Sequence, residues 1–156
     1  MNQIVQYLTF GVAEDLFAAP VGRVREILDL APISRLPRSP AELLGMIDVR
    51  GASVPVVDAR RLLGLEETTD TTNTRIVVLT IMRRSRETVF GLKTDRVFEV
   101  TSLDEGALEA PPEIGAGNWN AGAITGIGRR NGAFVTVFDV DRLFDAVDSA
   151  QGAIAA

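Results

Sequence analysis

The strongest constraint on this chain is that it resembles itself. The segment from Leu43 to Gly64, LLGMIDVRGASVPVVDARRLLG, lines up with ITGIGRRNGAFVTVFDVDRLFD, Ile124 to Asp145, at a spacing of 81 residues. Gly45 falls on Gly126, Gly51 on Gly132, Val54 on Val135, Val56 on Val137, Asp58 on Asp139, and Arg61-Leu62 on Arg142-Leu143. A second block repeats at a spacing of 73, placing Phe17 on Phe90, Arg23 on Arg96, Val24 on Val97 and Glu26 on Glu99. A third, at 71, places Leu8-Thr9 on Leu79-Thr80. Three blocks in the same order point to a tandem duplication. Two copies fall short of a solenoid, which needs at least three. The chain therefore reads as one domain over residues 6–148, built from two halves at about 6–65 and 75–148 and open to strand exchange between them, with a tail over 149–156.

Each half reads mostly as strand. Gln6 to Phe10 and Arg75 to Ile81 are apolar runs rich in β-formers, and Leu16 to Val21 and Val89 to Lys93 follow short polar turns as hairpin partners do. Val24 to Leu28 and Val97 to Val100 are short strands with a charged residue in the middle, and Ala52 to Val57 alternates into Asp58. Pro55 lacks an N–H to donate, which predicts an edge strand or a bulge there. Many short strands broken by turns indicate small barrels. Three short helices are expected. One starts at the capping box Ser39-Pro40-Ala41-Glu42 and closes at Gly45. One is capped by Asp58 and ends at Gly64, and one is capped by Asp139 and runs through Val147. Glu66 to Thr74 and Asp104 to Asn120 read as irregular segments.

The residue inventory narrows the chemistry. With no cysteine and no histidine there is no disulfide, no thiolate or imidazole metal site, no Cys nucleophile and no Ser-His-Asp triad. An enzyme built on this chain would have to use carboxylates or Lys93, its one lysine, in a concave pocket. Sixteen basic against 21 acidic residues leave a net charge of −5, which disfavours nucleic acid as a partner. The first ten residues lack the basic and apolar regions of a signal peptide, and no run reaches membrane-spanning length, so a cytoplasmic protein without membrane insertion is expected.

Some groups invite a chemical reading and have a plainer one. Asp139-Val140-Asp141 has metal-like spacing, but helix capping accounts for it. Gly126-Ile127-Gly128 lacks the Gly-Lys-Ser/Thr ending of a phosphate loop. Neither a metal nor a cofactor is expected. Arg50, just before the turn residue Gly51, and Glu26, within a short strand, look instead like partner contacts. Alternation along that strand puts Val24 and Glu26 on one face and predicts that Ile27, on the other, is the more buried.

The ordered set Tyr7-Leu8-Thr9-Phe10, Val24-Arg25-Glu26-Ile27, Ile33 to Pro37, Leu44-Gly45 to Gly51, Val54-Pro55-Val56-Val57-Asp58, Arg60 and Thr94-Asp95-Arg96-Val97 resembles the CheW family of chemotaxis coupling proteins. The resemblance implies an all-β fold with short helices: two five-stranded SH3-like β-barrel subdomains in tandem, sharing a hydrophobic core, plus a C-terminal helix. It implies a non-enzymatic, cytoplasmic adaptor recruited to membrane receptor arrays. Its partners would be the regulatory domain of a CheA-type histidine kinase and the signalling tip of chemoreceptors. The receptor contacts carry over to Val21, Val24, Glu26, Ile27, Arg50 and Val100, and the kinase contacts to Leu108, Glu109 and Ile114. Glu109 stands where some relatives carry a basic residue. Other readings are an adaptor of a twitching or surface-sensing pathway and a free-standing SH3-like peptide binder, which needs an aromatic-lined groove.

Overall fold

The computed structural model describes residues 5–83, 85–104, 108–110 and 123–143. Pro111-Pro112, Ile114, the run from residue 144 to Val147 and the tail lie outside them. Ten strands are described: β1 (Tyr7–Val12), β2 (Asp15–Pro20), β3 (Val24–Asp29), β4 (Leu43–Val49), β5 (Ala52–Asp58), β6 (Arg75–Arg83), β7 (Arg86–Thr94), β8 (Arg96–Thr101), β9 (Ile124–Arg130) and β10 (Ala133–Phe138). A 3-10 turn, Val21–Arg23, precedes β3, and a one-turn helix α1, Ala59–Leu62, follows β5.

The strands form two five-stranded sheets. Lobe 1 has the order β3-β6-β7-β5-β4 and lobe 2 the order β8-β1-β2-β10-β9. Each lobe borrows a hairpin from the other half of the sequence. The β1–β2 hairpin sits in lobe 2 with β8, β9 and β10, and the β6–β7 hairpin sits in lobe 1 with β3, β4 and β5. The loan is joined in both cases by a short parallel ladder, Thr136↔Phe17 and Val137↔Ala18 in lobe 2, and Val56↔Gly91 to Asp58↔Lys93 in lobe 1.

Three apolar clusters follow from this arrangement. Ile47, Val54, Val56 and Ile76 fill lobe 1, and Ala18, Val135 and Val137 fill lobe 2. The largest cluster lies between the lobes and draws on both, with Leu8, Phe10 and Phe17 from one and Val77, Leu79, Phe90 and Leu92 from the other. Phe10, Phe17 and Phe138 stack there with centroids 5.2 to 6.1 Å apart. Removing either lobe would expose this cluster to water, at roughly 1.5–3 kcal/mol per large side chain. Thermal unfolding should therefore show one transition. Calorimetric and van't Hoff enthalpies should agree, and two resolved calorimetric peaks would contradict the shared core.

Three expectations change. No helix forms at Ser39-Pro40-Ala41-Glu42. Residues 41–42 make a turn and β4 begins at Leu43. The buried positions Leu43, Gly45 and Ile47 alternate as a strand requires, and pairing with β5 overrides the local capping signal. Gly45 is a strand residue with φ +148°, not a helix terminator. Second, β5 is an interior strand rather than an edge. The ladder to β7 starts only at Val56, so on that side Pro55 has no ladder to break. Third, Ile27 is 43% exposed, while Val24, Glu26 and Leu28 are half-buried. The inner face of β3 is the one that carries Glu26, because Val24 packs on the central cluster and Leu28 on the core of lobe 1.

The helix caps stand as expected. Asp58 accepts a hydrogen bond from the Arg60 N–H at 3.1 Å, and Gly64 follows α1 at φ +72°. Asp139 caps a second helical turn over residues 140–143 in the same way.

Candidate functional site

The hairpin from β4 to β5 turns through Arg50 at φ +51° and Gly51 at φ +87°. Asp48 fixes the turn by accepting the Gly51 N–H at 2.7 Å. The equivalent hairpin of lobe 2 turns through Asn131 at φ +53° and Gly132 at φ +83°, and Asp104 accepts both of their N–H groups at 3.0 Å. Those two bonds, led by the one from Gly132, hold the Asp104 carboxyl below its usual range. Asparagine suits a left-handed position and arginine does not. Lobe 1 thus spends conformational energy to place a cation where lobe 2 places a turn residue.

Arg50 reaches across the open side of lobe 1 to β3. Its guanidinium donates to Glu26 Oε1 at 2.7 Å, with 77% of the Arg50 side chain exposed against 17% of Glu26. Glu26 is the sheltered partner and Arg50 the presented one. Next to the pair lie Arg25, exposed, and Ile27, at the edge of the sheet with its side chain in solvent. Val21 sits half-buried in the 3-10 turn that leads into β3. The structure thus brings Glu26 and Arg50 into contact, while Val24 shares the inner face of β3 with Glu26, Ile27 lies on the opposite face, and Val21 sits in the turn between β2 and β3. Val100, 49% exposed, lies on β8 of lobe 2. That Glu26 and Arg50 pair with each other, 24 residues apart, was not foreseen from the sequence.

Of the kinase-facing candidates, Leu108 and Glu109 are described. Glu109 exchanges two backbone hydrogen bonds with Ile127 at 2.9 and 2.8 Å, and its side chain is exposed. Leu108 packs over Gly126 and Gly128, where an added Cβ would stand 2.8 and 2.9 Å from it. The glycine pair thus makes room for a side chain of its own chain. Ile114 lies outside the described residues.

Carboxylates and Lys93 do meet in a cleft. Lys93 pairs with Asp70 at 2.6 Å, Arg61 pairs with Glu67, and Asp58 stands between Arg61 and Lys93. Burial pushes the Asp58 carboxyl up, against the pull of the Arg60 N–H, Lys93 and Arg61. Each group has a structural partner, and Asp58 is committed to capping α1. Among the described phenylalanines Phe10, Phe17, Phe90 and Phe138 are buried, and only Phe98 and Phe134 are exposed.

Two further ion pairs tie the lobes together. Asp95, between β7 and β8, receives three hydrogen bonds of 2.7 to 3.1 Å from the Arg60 guanidinium and one of 2.7 Å from the Ala13 N–H of lobe 2. In the equivalent place, with charges exchanged, Asp141 takes a bidentate pair from Arg23 at 3.0 Å and the Met82 N–H at 3.1 Å. Asp139 and Asp141 thus serve a cap and a clasp.

A family model described as a CheW-like domain matches residues 6–148. The chain belongs to the CheW family. It is 30% identical over 109 residues to a probable chemotaxis protein CheW of Rhizobium etli, covering 70% of this chain and 68% of that one. It is 27% identical to a chemotaxis protein CheW of Rhizobium meliloti over 89% of this chain and 86% of that one. Among solved structures, the scaffolding protein TtCheW of Thermoanaerobacter tengcongensis superposes with a TM-score of 0.79 at 24% identity, covering 92% of this chain and 90% of that one. The two-sheet architecture is thus that of the CheW fold.

Proposed function

We propose that this chain is a non-enzymatic adaptor of bacterial chemotaxis that couples chemoreceptor signalling tips to a CheA-type histidine kinase. It would work in the cytoplasm and be recruited to membrane receptor arrays. The observation that carries the receptor contact is the surface around Ile27. An exposed aliphatic side chain on a sheet edge shares the outer face of β3 with the exposed Arg25, and Arg50, paired to Glu26, is presented along the same strand. A helical hairpin tip offers apolar anchors at helical spacing, and an apolar strip with fixed charges beside it suits such a helix. Val21, Val24, Glu26, Ile27 and Arg50 form that contact, and Val100 extends it on β8. Leu108, Glu109 and Ile114 are assigned to the kinase. The two backbone bonds from Glu109 to Ile127 support this, because a segment already fixed loses less entropy on docking.

The test is a pull-down of a receptor signalling tip and of a kinase regulatory domain. Arg50→Ala should weaken tip binding about tenfold while moving stability by no more than about 0.5 kcal/mol, since an exposed ion pair contributes little. Ile27→Ser should act in the same direction, and kinase binding should persist in both variants. Tip binding unchanged in both would sink the assignment.

A further inference from the structure

We propose that the cleft between Arg60 and Arg96, where lobe 1 meets lobe 2, binds a small oxyanion of the phosphate class. The site is separate from the surface around Ile27 and does not depend on the adaptor reading.

The two ion-pair clasps between the lobes are related by the sequence repeat, and the repeat makes them unequal. A spacing of 73 places Arg23 on Arg96, and a spacing of 81 places Arg60 on Asp141. At the second clasp these positions hold an ion pair, Arg23 with Asp141 at 3.0 Å. At the first clasp both positions are arginine. Asp95, which falls on Gly22, supplies one carboxylate for the two of them. That carboxylate is fully engaged by three bonds from Arg60 and one from the Ala13 N–H. Arg96 acts on Asp95 through its charge and has no ion-pair partner of its own among the described residues. The first clasp therefore carries one cation in excess.

Arg96 is exposed but held in place. Its stem lies over Gly11, where an added Cβ would stand 3.2 Å from its Cγ and 3.3 Å from its Nε, and its guanidinium sits 5.5 Å from the centre of the Phe98 ring. Arg60 and Arg96 line a cleft of about 210 Å³ whose other walls include Thr71, Asn73, Thr74 and Asp95. Thr74 is only 6% exposed. Its hydroxyl accepts the Thr71 N–H at 2.9 Å, and the Thr71 hydroxyl accepts the Asn73 N–H at 3.1 Å. A hydroxyl that accepts keeps its own proton, so both threonines have a donor left to offer. Asp95 is the one carboxylate on these walls. The carboxylates of the adjoining cleft have cations of their own, Asp70 with Lys93 and Glu67 with Arg61.

A net positive charge with several donors around one small space suits an anion that accepts hydrogen bonds on every side, as phosphate does. The volume is below the roughly 300–1,000 Å³ of a pocket for a larger organic ligand, so the occupant is small. Arg96 belongs to lobe 2, and Arg60, Thr71 and Thr74 to lobe 1. A bound anion would therefore bridge the lobes beside the Asp95 clasp.

Titration of the full-length isotope-labelled chain with inorganic phosphate, at constant ionic strength held with potassium chloride, tests the site. Amides of residues 71–74 and 95–97 should shift and saturate. The thermal midpoint should rise by about 4 °C at tenfold excess over Kd, because an anion held by both lobes binds only the folded chain. Arg96→Gln should weaken phosphate about tenfold, the loss expected for one charge-assisted contact, and it leaves the bonds of Asp95 untouched. Thr74→Val should act in the same direction, and its spectrum in chloride alone reports whether the fold is kept. Arg129→Gln removes the same charge from β9 and should change nothing. Glycerol phosphate binding as tightly as inorganic phosphate would assign the site to a phosphomonoester with its alcohol in solvent, and binding of inorganic phosphate alone would assign it to the free ion. Shifts that never saturate, equal shifts with potassium chloride, or equal weakening by Arg96→Gln and Arg129→Gln would overturn the proposal.

Discussion

Alanine at Gly45 should destabilise the protein by roughly 4 kcal/mol or prevent lobe 1 from forming. Two independent costs combine there. Gly45 has φ +148°, a region closed to residues with a side chain. A Cβ at that position would also stand 2.1 Å from the Ser34 carbonyl oxygen and 2.7 Å from its carbon. Those atoms are backbone, and they are pinned, because Ser34 and Met46 exchange hydrogen bonds of 2.9 and 2.8 Å across Gly45. No side-chain rotation relieves the clash. Two other glycines serve as controls in the same denaturant titration. Gly51 has φ +87° but open space around its Cβ position, so Gly51→Ala should cost about 1 kcal/mol. Gly22 has neither constraint, so Gly22→Ala should be close to neutral. A Gly45→Ala midpoint level with that of Gly51→Ala would show that the Ser34 loop gives way.

Asp95→Ala should cost about 2–3 kcal/mol, the range expected for breaking a largely buried ion pair, reduced for partial exposure. The carboxylate is 24% exposed and Arg60 is 19% exposed. Losing it strands the Arg60 guanidinium and the Ala13 N–H together. A double-mutant cycle with Arg60→Ala should show strong coupling, the double variant being scarcely worse than Asp95→Ala alone. The same group predicts a pH response. Burial pushes the Asp95 carboxyl up, but the Arg60 and Ala13 bonds and the charges of Arg60 and Arg96 outweigh it and leave it below the usual carboxylate range. A carboxyl that is a stronger acid when folded stabilises the fold above its unfolded pKa of about 3.9 and loses that contribution as pH falls through the folded value. Asp95→Asn should therefore flatten the stability profile on the acid side of about pH 4. An acid limb as steep as that of the parent would place the effect elsewhere. The charge-exchanged clasp of Arg23 and Asp141 has side chains 35% and 34% exposed and should contribute less.

The sequence carried most of this fold in its internal repeat. Strand positions, the Asp58 and Asp139 caps and the Gly51 and Gly132 turns are local features, each legible from a few neighbouring residues. The failures are nonlocal. Ser39 to Glu42 has a sound capping pattern, but the alternation of Leu43, Gly45 and Ile47 belongs to a partner strand that local rules do not see. The burial of β3 depends on which face meets the core, and alternation fixes only that two faces exist. For the candidate site, Glu26 and Arg50 were each visible as exceptions, but their pairing needs the curl of the sheet that brings its two ends, β3 and the β4–β5 turn, within reach. In lobe 2 Arg130 pairs with Glu99 at 3.4 Å, and this matching pair had a signal in the sequence. Glu99 repeats Glu26, and Arg130 adjoins Asn131, which repeats Arg50.

The exchanged hairpins also bear on how the chain is made. β1 and β2 are synthesised first, yet β2 pairs along one side with β10, the last strand described. The large apolar residues of that hairpin, Leu8, Phe10 and Phe17, belong to a cluster that only later segments complete. A chain emerging from the ribosome must therefore carry an unfinished sheet edge until β10 has been made. Contacts between such distant segments form slowly, because a long loop must close before any of them is gained. A fold that gives its finished form a continuous core leaves its nascent form, for that interval, with a strand edge open to association with other chains.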